Sequence, residues 1–348
     1  MPTEQEIRDA LTKVMDPELG KNIVELGMVR DIRITPDGEV GFALALTIPN
    51  CPLKNKMKAD AEQALLALPG VKYVDVTFAQ LSPAELQAAM EKGRGNLPQL
   101  NLLNKIDRVL CVLSGKGGVG KSSVTALLAV ALAKQGKQVG ILDADITGPS
   151  IPKLFGLPTG GLRGGEGGML PAITCNGIKV VSINLLLKEE DAPVIWRGPM
   201  ISGVIQQFWR DALWGSLDVL LVDMPPGTSD AAISVMQSLP VNGVVLVTSP
   251  QELAGMVVRK ALNMTKTMNV PVAGVIENMA YFTCPDCGKQ HDIFGPSHAG
   301  EIAKTAGAPL LARLPLRPQL AMLGDAGQIE EADAPEFEQI ARQLMAME

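Results

Sequence analysis

The spacing of apolar residues changes several times along the first 89 positions. They recur at helical spacing over 4–14 and about 51–68, and at strand spacing over 28–34, 39–46 and 72–78. The turn sequence PDG joins the first two strand stretches into a hairpin, so residues 1–89 predict a small α+β unit. Regular patterning fades after Lys92, where Gly, Pro and Asn accumulate, and residues 90–104 are expected to form a linker. From 105 to 348 the pattern is of another kind: short continuous apolar runs (RVLCVLS, QVGILDAD, LDVLLVDMP, GVVLVTSP, VPVAGVIEN, PLLARLP) alternate with helical stretches. Strands buried on both faces of a parallel sheet and covered by helices have this pattern, so a doubly wound α/β domain is predicted. The most apolar helical stretch, Ser122 to Ala133, lies between Lys121 and Lys134. A bilayer needs about 20 apolar residues, so this shorter run reads as a buried core helix.

Composition narrows the classes of function. A chain of 348 residues is expected to form two domains, and 47% hydrophobic with 20% charged residues is ordinary for a globular protein. The formal net charge of -6 supplies no basic footprint for nucleic acid or an anionic membrane, so neither is expected as a partner. The start MPTEQEIRDA lacks a basic region followed by an apolar run, and no secretory leader is expected. Five cysteines at irregular spacing point to reduced thiols in the cytoplasm rather than to a disulfide framework.

Residues Gly115-Lys116-Gly117-Gly118-Val119-Gly120-Lys121-Ser122 fit G-x-x-x-x-G-K-[ST] and lie between an apolar strand and an apolar helix. Glycines let backbone N–H groups converge on a phosphate, and the helix N-terminus adds a positive dipole end. The stretch from Gly115 to Ser123 is therefore assigned to a nucleotide, ATP, with Lys121 on the β/γ-phosphates and the Ser122 hydroxyl on Mg²⁺. Such a P-loop ATPase also needs acids at neighbouring strand ends. Asp223, at the end of LDVLLVD, is assigned to the Mg²⁺ shell; Asp145 is assigned to positioning the attacking water, and Asp143 to support near Mg²⁺ or Lys121.

The pair Cys284 and Cys287, in CPDCG, has the spacing of a metal knuckle. Zinc and iron–sulfur sites usually take four protein ligands, so two sulfurs leave a site half built. His291 and His298 could complete a Cys₂His₂ zinc site within the chain. Alternatively, a two-fold axis could bring two copies of the pair around one [4Fe–4S] cluster. A thioredoxin-like redox pair is disfavoured, because the motif does not open a βαβ unit of that type. Cys111, inside a strand run, and the isolated Cys175 read as structural thiols.

The loop KGGVGKS, the segment DADITGPS and the segment DMPPGTSD resemble the deviant Walker A, switch I and switch II of the superfamily containing nitrogenase iron protein, MinD and ParA. Within it, WRGPMISGVIQQFWRDALWGSLDVLLVDMPPGTSD, VTSPQELA, ENMAYFTCPDCG and IFG resemble the Mrp/ApbC branch of ATP-dependent iron–sulfur cluster carriers, over nearly all of 105–348. The resemblance implies a face-to-face homodimer in which Lys116 reaches the partner's phosphates. It also implies that Asn278 lies beside adenine, that Thr228 and Asp230 belong to switch II, and that a cluster held by Cys284 and Cys287 of both copies passes to apo-proteins. Two departures stand out: PSHAGE follows IFG where the family tends to have a glycine-rich run, and switch II has Thr-Ser-Asp where Thr-Gly-Asp is common. A MinD/ParA-like positioning ATPase and a zinc-stabilised, nucleotide-switched scaffold are the competing readings. The chain ends PEFEQIARQLMAME, more acidic than basic, against the surface binding a positioning ATPase needs.

At the other end, MDPELGKNIVELGMVRDIRI and LTIPNCPL resemble a small domain of iron–sulfur assembly proteins. Asn50 as N-cap and Pro52 in a first helical turn would put the Cys51 thiol at a helix N-terminus, with Asp16 and Glu18 in the same region. A reactive or cluster-handling Cys51 and a structural one are both open.

Overall fold

The structure, a computed structural model, describes residues 2–16, 21–46, 54–82, 85, 88–89, 100–146, 148–165, 168–186, 198–251 and 253–347. The chain divides into two compact units, residues 1–97 and 98–348.

In the first unit, helix α1 (Glu4–Leu11) begins with a capping box. Thr3 Oγ1 accepts the Glu6 N–H at 3.3 Å, and the Glu6 carboxylate accepts the Thr3 N–H at 2.7 Å. The helix stops three residues short of the expected Val14, where the bonding tightens to Lys13 N–H on Ala10 O and Val14 N–H on Leu11 O. Strand β1 (Val29–Ile34) pairs antiparallel with β2 (Glu39–Leu46), and helix α2 (Lys54–Leu66) carries the chain over to β3 (Tyr73–Gln80), parallel to β2. Gly38 turns the hairpin at φ 89°, where a Cβ would lie 2.4 Å from Gly70 O, so no other residue fits. Ile7, Leu11, Leu44, Met57 and Leu65 fill the core between helices and sheet. Cys51, with Asn50 and Pro52, and Glu18 lie outside the described residues; Asp16 is buried.

In the second unit the six apolar runs all form strands: β4 (Val109–Ser114), β5 (Val139–Asp143), β7 (Val219–Asp223), β8 (Gly243–Thr248), β9 (Val272–Thr283) and β11 (Leu310–Pro315). Joined by β6 (Lys179–Ser182), they run in the order β11, β9, β8, β4, β7, β5, β6, every one of these pairs parallel. Antiparallel additions flank this core: residues 172–173 on β6, and β10 (Gln290–His291) folding back on the far end of β9. Because parallel strands start from one edge and end at the other, β4, β5, β6 and β7 deliver Ser114, Asp143, Ser182 and Asp223 to one edge of the sheet. Helix α3 (Lys121–Lys134) follows β4 and is buried on every side from Val124 to Leu132, as expected for a helix apolar all round. It lies against the sheet on one side and against the C-terminal helix (Glu336–Met345), with Phe337, Ile340 and Leu344, on the other. Among the described residues, no helix is long and apolar enough to cross a membrane.

Leu128 is fully buried in this double contact. Leu128→Ala leaves a void that the rigid sheet cannot fill and should lower unfolding free energy by about 2–5 kcal/mol. Urea denaturation followed by far-UV dichroism reads the change; a loss within error of zero would mean that α3 is not packed as described.

Candidate functional site

The phosphate loop leaves β4 at Ser114, whose hydroxyl donates to Lys116 O at 3.0 Å. Gly118 and Gly120 take φ 77° and 78°, a left-handed conformation that glycine adopts without strain. Gly120 caps α3 with no side-chain bond, which leaves first-turn N–H groups without helical acceptors and facing the loop. A Cβ at Gly120 would stand 2.4 Å from the Asn278 Nδ2. Val119 is buried, and its carbonyl accepts the Asn278 amide at 2.9 Å.

Asp223, at the end of β7, gathers the first turn of α3. Its Oδ2 takes Lys121 Nζ at 2.8 Å and the Ser122 hydroxyl at 2.6 Å, while its Oδ1 takes the Thr125 hydroxyl at 2.8 Å. Lys121 is 7% exposed and Asp223 not at all. Thr125 went unrecognised in the sequence; its place one turn after Lys121, on the same helix face, was the available signal. The other two acids lie on the next strand. Asp143 is opposite Asp223 in register, and its oxygens accept Asp145 N–H at 3.2 Å, Ile151 N–H at 3.3 Å and the Ser182 hydroxyl at 3.1 Å. Burial and the neighbouring Asp223 charge raise its carboxyl well above the usual carboxylate range, against the pull of Lys121. Asp145 is half-buried just beyond the strand end.

Lys116 is half-buried on the outer side of the loop, and its ammonium donates to the Gln251 side chain. The chain after β7 crosses beneath it, with Gly227 N–H bonded to Ser114 O at 3.0 Å, and helix α5 (Asp230–Ser238) begins directly after Ser229. Thr228 is half-buried in that crossing.

Asn278 and the far side of the loop open onto a mainly apolar cleft, lined among others by Gly120, Ser123, Asn278, Leu316, Arg317 and Phe337. An ion pair between Arg317 and Glu336 closes its rim. The segment after β11 was missed from sequence because, beyond its strand, it carries no motif. Asn278 is inside β9.

Beyond Asn278 the same strand runs on to the cysteine pair. Phe282 and Thr283 pair with His291 and Gln290 of β10, and Cys284 to Lys289 form the tip, closed by Cys284 N–H to Lys289 O and Gly288 N–H to Cys284 O, both 2.9 Å. Cys284 is half-buried and Cys287 exposed. The Cys287 N–H, then the Asp286 N–H, then the Cys287 thiol hold the Cys284 thiol below its ordinary range, the environment a metal-binding thiolate needs. Among the described residues, no group of three or more His, Cys, Asp or Glu comes together around a metal-sized space. The two histidines are not drawn in: His291 is exposed on β10, and His298 faces Glu301 at 3.9 Å. Among the described residues the histidines do not join the cysteine pair in a Cys₂His₂ arrangement. Burial raises the Cys111 thiol far above its ordinary range, in keeping with a core role, and Cys175 is exposed.

Comparison with known proteins agrees with this geometry. The family described as NUBPL iron-transfer P-loop NTPase matches residues 105–347, and an iron–sulfur cluster assembly protein family matches residues 4–78. An iron–sulfur cluster carrier protein of Synechocystis is 41% identical, over 99% of this chain and 97% of its own. One from Methanocaldococcus jannaschii is 49% identical, over 62% of this chain and 74% of its own. Among solved structures, a nucleotide-binding protein from Archaeoglobus fulgidus in complex with ADP is 47% identical, with a TM-score of 0.61, covering 67% of this chain and 91% of that one.

Gly120 combines a positive φ with the Asn278 contact, so Gly120→Ala must displace the loop or the amide. MgADP binding should weaken by about tenfold or more, while a strain of about 1–3 kcal/mol leaves the domain folded. Isothermal titration of the folded variant checks this, and unchanged affinity would remove Gly120 from the nucleotide site.

Proposed function

The chain belongs to the iron–sulfur cluster carrier family of P-loop NTPases, and on that footing we propose that it is a cytoplasmic, homodimeric ATPase. Two copies together hold a [4Fe–4S] cluster and pass it to apo-proteins. The observation that carries this reading is the hairpin tip at Cys284 and Cys287, with two sulfurs and inward N–H groups but no third ligand among the described residues. A four-cysteine cluster needs twice that, and a two-fold axis beside the tip supplies it.

The nucleotide half follows from the charges at the strand ends. Lys121 now neutralises Asp223 inside the protein; the β/γ-phosphates offer it a denser negative charge, and its move to them frees the Asp223 Oδ2 edge. Ser122 Oγ and Asp223 Oδ2, 2.6 Å apart, are the hard oxygen donors that suit Mg²⁺. The ion would supply charge neutralisation at the phosphates when bound. Thr125 keeps hold of Oδ1 meanwhile, so the carboxylate does not swing. Asp145, at the mouth of the site, orients the attacking water. Asn278 and the cleft behind it receive the base, with Ser123 at its floor. Thr228 and Asp230, in the crossing beneath the loop, respond to the γ-phosphate.

Lys116 is assigned to the nucleotide of the partner copy. Its bond to Gln251 is exposed and worth about 0.5–1.5 kcal/mol, readily given up for a phosphate in the facing subunit. There it would act as a cation supplied in trans to the transferring phosphoryl group.

Two outcomes test the halves separately. Lys116→Ala should lower ATP turnover by about a thousandfold, the scale of losing a trans-acting cation, while ATP affinity measured by titration is nearly unchanged; full turnover in the variant would remove Lys116 from the reaction. Anaerobically reconstituted Cys284→Ala and Cys287→Ala proteins should each lack the cluster's visible absorbance seen in the wild type, and a full spectrum in both would place the cluster elsewhere.

A further inference from the structure

The loop PSHAGE, which follows the cysteine hairpin, is fastened to the strand that touches the phosphate loop. Glu277 is buried, 1% exposed, at the end of the parallel part of β9, opposite Thr248 of β8 and Arg313 of β11. Its carboxylate accepts the Ser297 hydroxyl, at 2.7 Å from the nearer oxygen, and Arg313 Nε at 2.8 Å. Ser297 Oγ in turn accepts the N–H of Ala299, the first residue of helix α7 (Ala299–Ala306). A carboxylate this deeply buried is held by both donors, and losing either leaves part of its charge uncompensated.

The next residue, Asn278, holds Val119 O in the phosphate loop at 2.9 Å. Adjacent residues of a strand project to opposite faces, so this one dipeptide grips the phosphate loop on one side and the segment after the cysteine hairpin on the other. Immediately beyond it Met279 takes φ 55°, and pairing with β11 is irregular between Glu277 and Tyr281. A non-glycine residue in that conformation inside a strand is strained and persists only where its surroundings hold it. From Asn278, β9 needs only six more residues, about 20 Å of extended chain, to reach Cys284.

We propose that Glu277, Ser297 and Arg313 are positioning residues that transmit the state of the nucleotide site to the cysteine hairpin. Movement of the phosphate loop acts on Asn278 and is passed to the hairpin at one end through β9. It is passed at the other end through Glu277 and Ser297, so the hairpin responds as a unit. A glycine run in place of PSHAGE would offer no hydroxyl for this bond. The inference deepens the carrier reading and rests on it for the meaning of the hairpin, not for the mechanical link itself.

Amide hydrogen exchange of the full chain, with and without saturating MgADP and read over residues 280–298, tests the link without any cluster. In the wild type, MgADP should slow exchange in this segment. In Ser297→Ala that nucleotide-dependent slowing should fall by about half or more, with ADP affinity within about twofold of wild type, and Ser297→Thr, which keeps the hydroxyl, should restore it. Glu277→Gln should behave as Ser297→Ala does. A merely structural bond would raise exchange equally with and without nucleotide. That result, or no effect of MgADP on the wild-type segment, overturns the proposal. Iron and sulfide content of the same wild-type preparation after anaerobic reconstitution is scored separately: a protein without iron whose hairpin still responds to MgADP overturns the carrier reading and leaves the link standing.

Discussion

The second unit is organised around one buried ion pair. Lys121 and Asp223 meet at 2.8 Å with almost no exposure to solvent, and removing either partner of such a pair leaves a buried charge at a cost of about 3–5 kcal/mol. Asp223 also gathers the Ser122 and Thr125 hydroxyls, so the end of β7 and the first turn of the domain's most buried helix are fixed to each other. The protein thus holds its phosphate loop open and pre-shaped, with its own carboxylate standing where phosphate charge would later compete for the lysine. Asp143 lies beside this pair, its carboxyl raised by burial and by the Asp223 charge.

A different economy governs the cysteine hairpin. Among the described residues, Lys121, Ser122, Thr125, Asp143 and Asp223 at the phosphate loop all have partners within the chain, whereas the hairpin offers two sulfurs and stops. Lys116 is likewise turned outward, occupied by the exposed Gln251. These are two features at separate places on one unit, and in the proposed function a second copy would complete each. Strand β9 is the physical connection between them, touching the phosphate loop at Asn278 and ending at Thr283, one residue before Cys284.

Much of this was legible from the sequence, for identifiable reasons. Continuous apolar runs mark strands buried on both faces, and all six found this way are strands of the sheet. The phosphate loop was legible because its glycines and lysine must keep fixed spacing. Strand β6 was not, since KVVS is too short to separate from a loop. The full length of β9 was also missed: Asn278, Met279 and the residues after them lack the apolar continuity of VPVAGVI, and the strand is held there by the phosphate loop and by β10 and β11 rather than by core packing. Thr125 and Glu277 illustrate the general limit. Each is an unremarkable residue in its own segment and acquires a role only through a strand end or loop remote in sequence. PSHAGE could be seen as a departure from the family, but not that its serine reaches Glu277, twenty positions earlier.

The central claim is that one chain carries half of a metal site. Native mass spectrometry of anaerobically reconstituted protein tests it most directly, because it reads metal content and oligomeric state in one species. The account predicts a dimer carrying about four iron and four sulfide, with iron-free monomer beside it. A monomer holding its own zinc, or its own complete cluster, would contradict it.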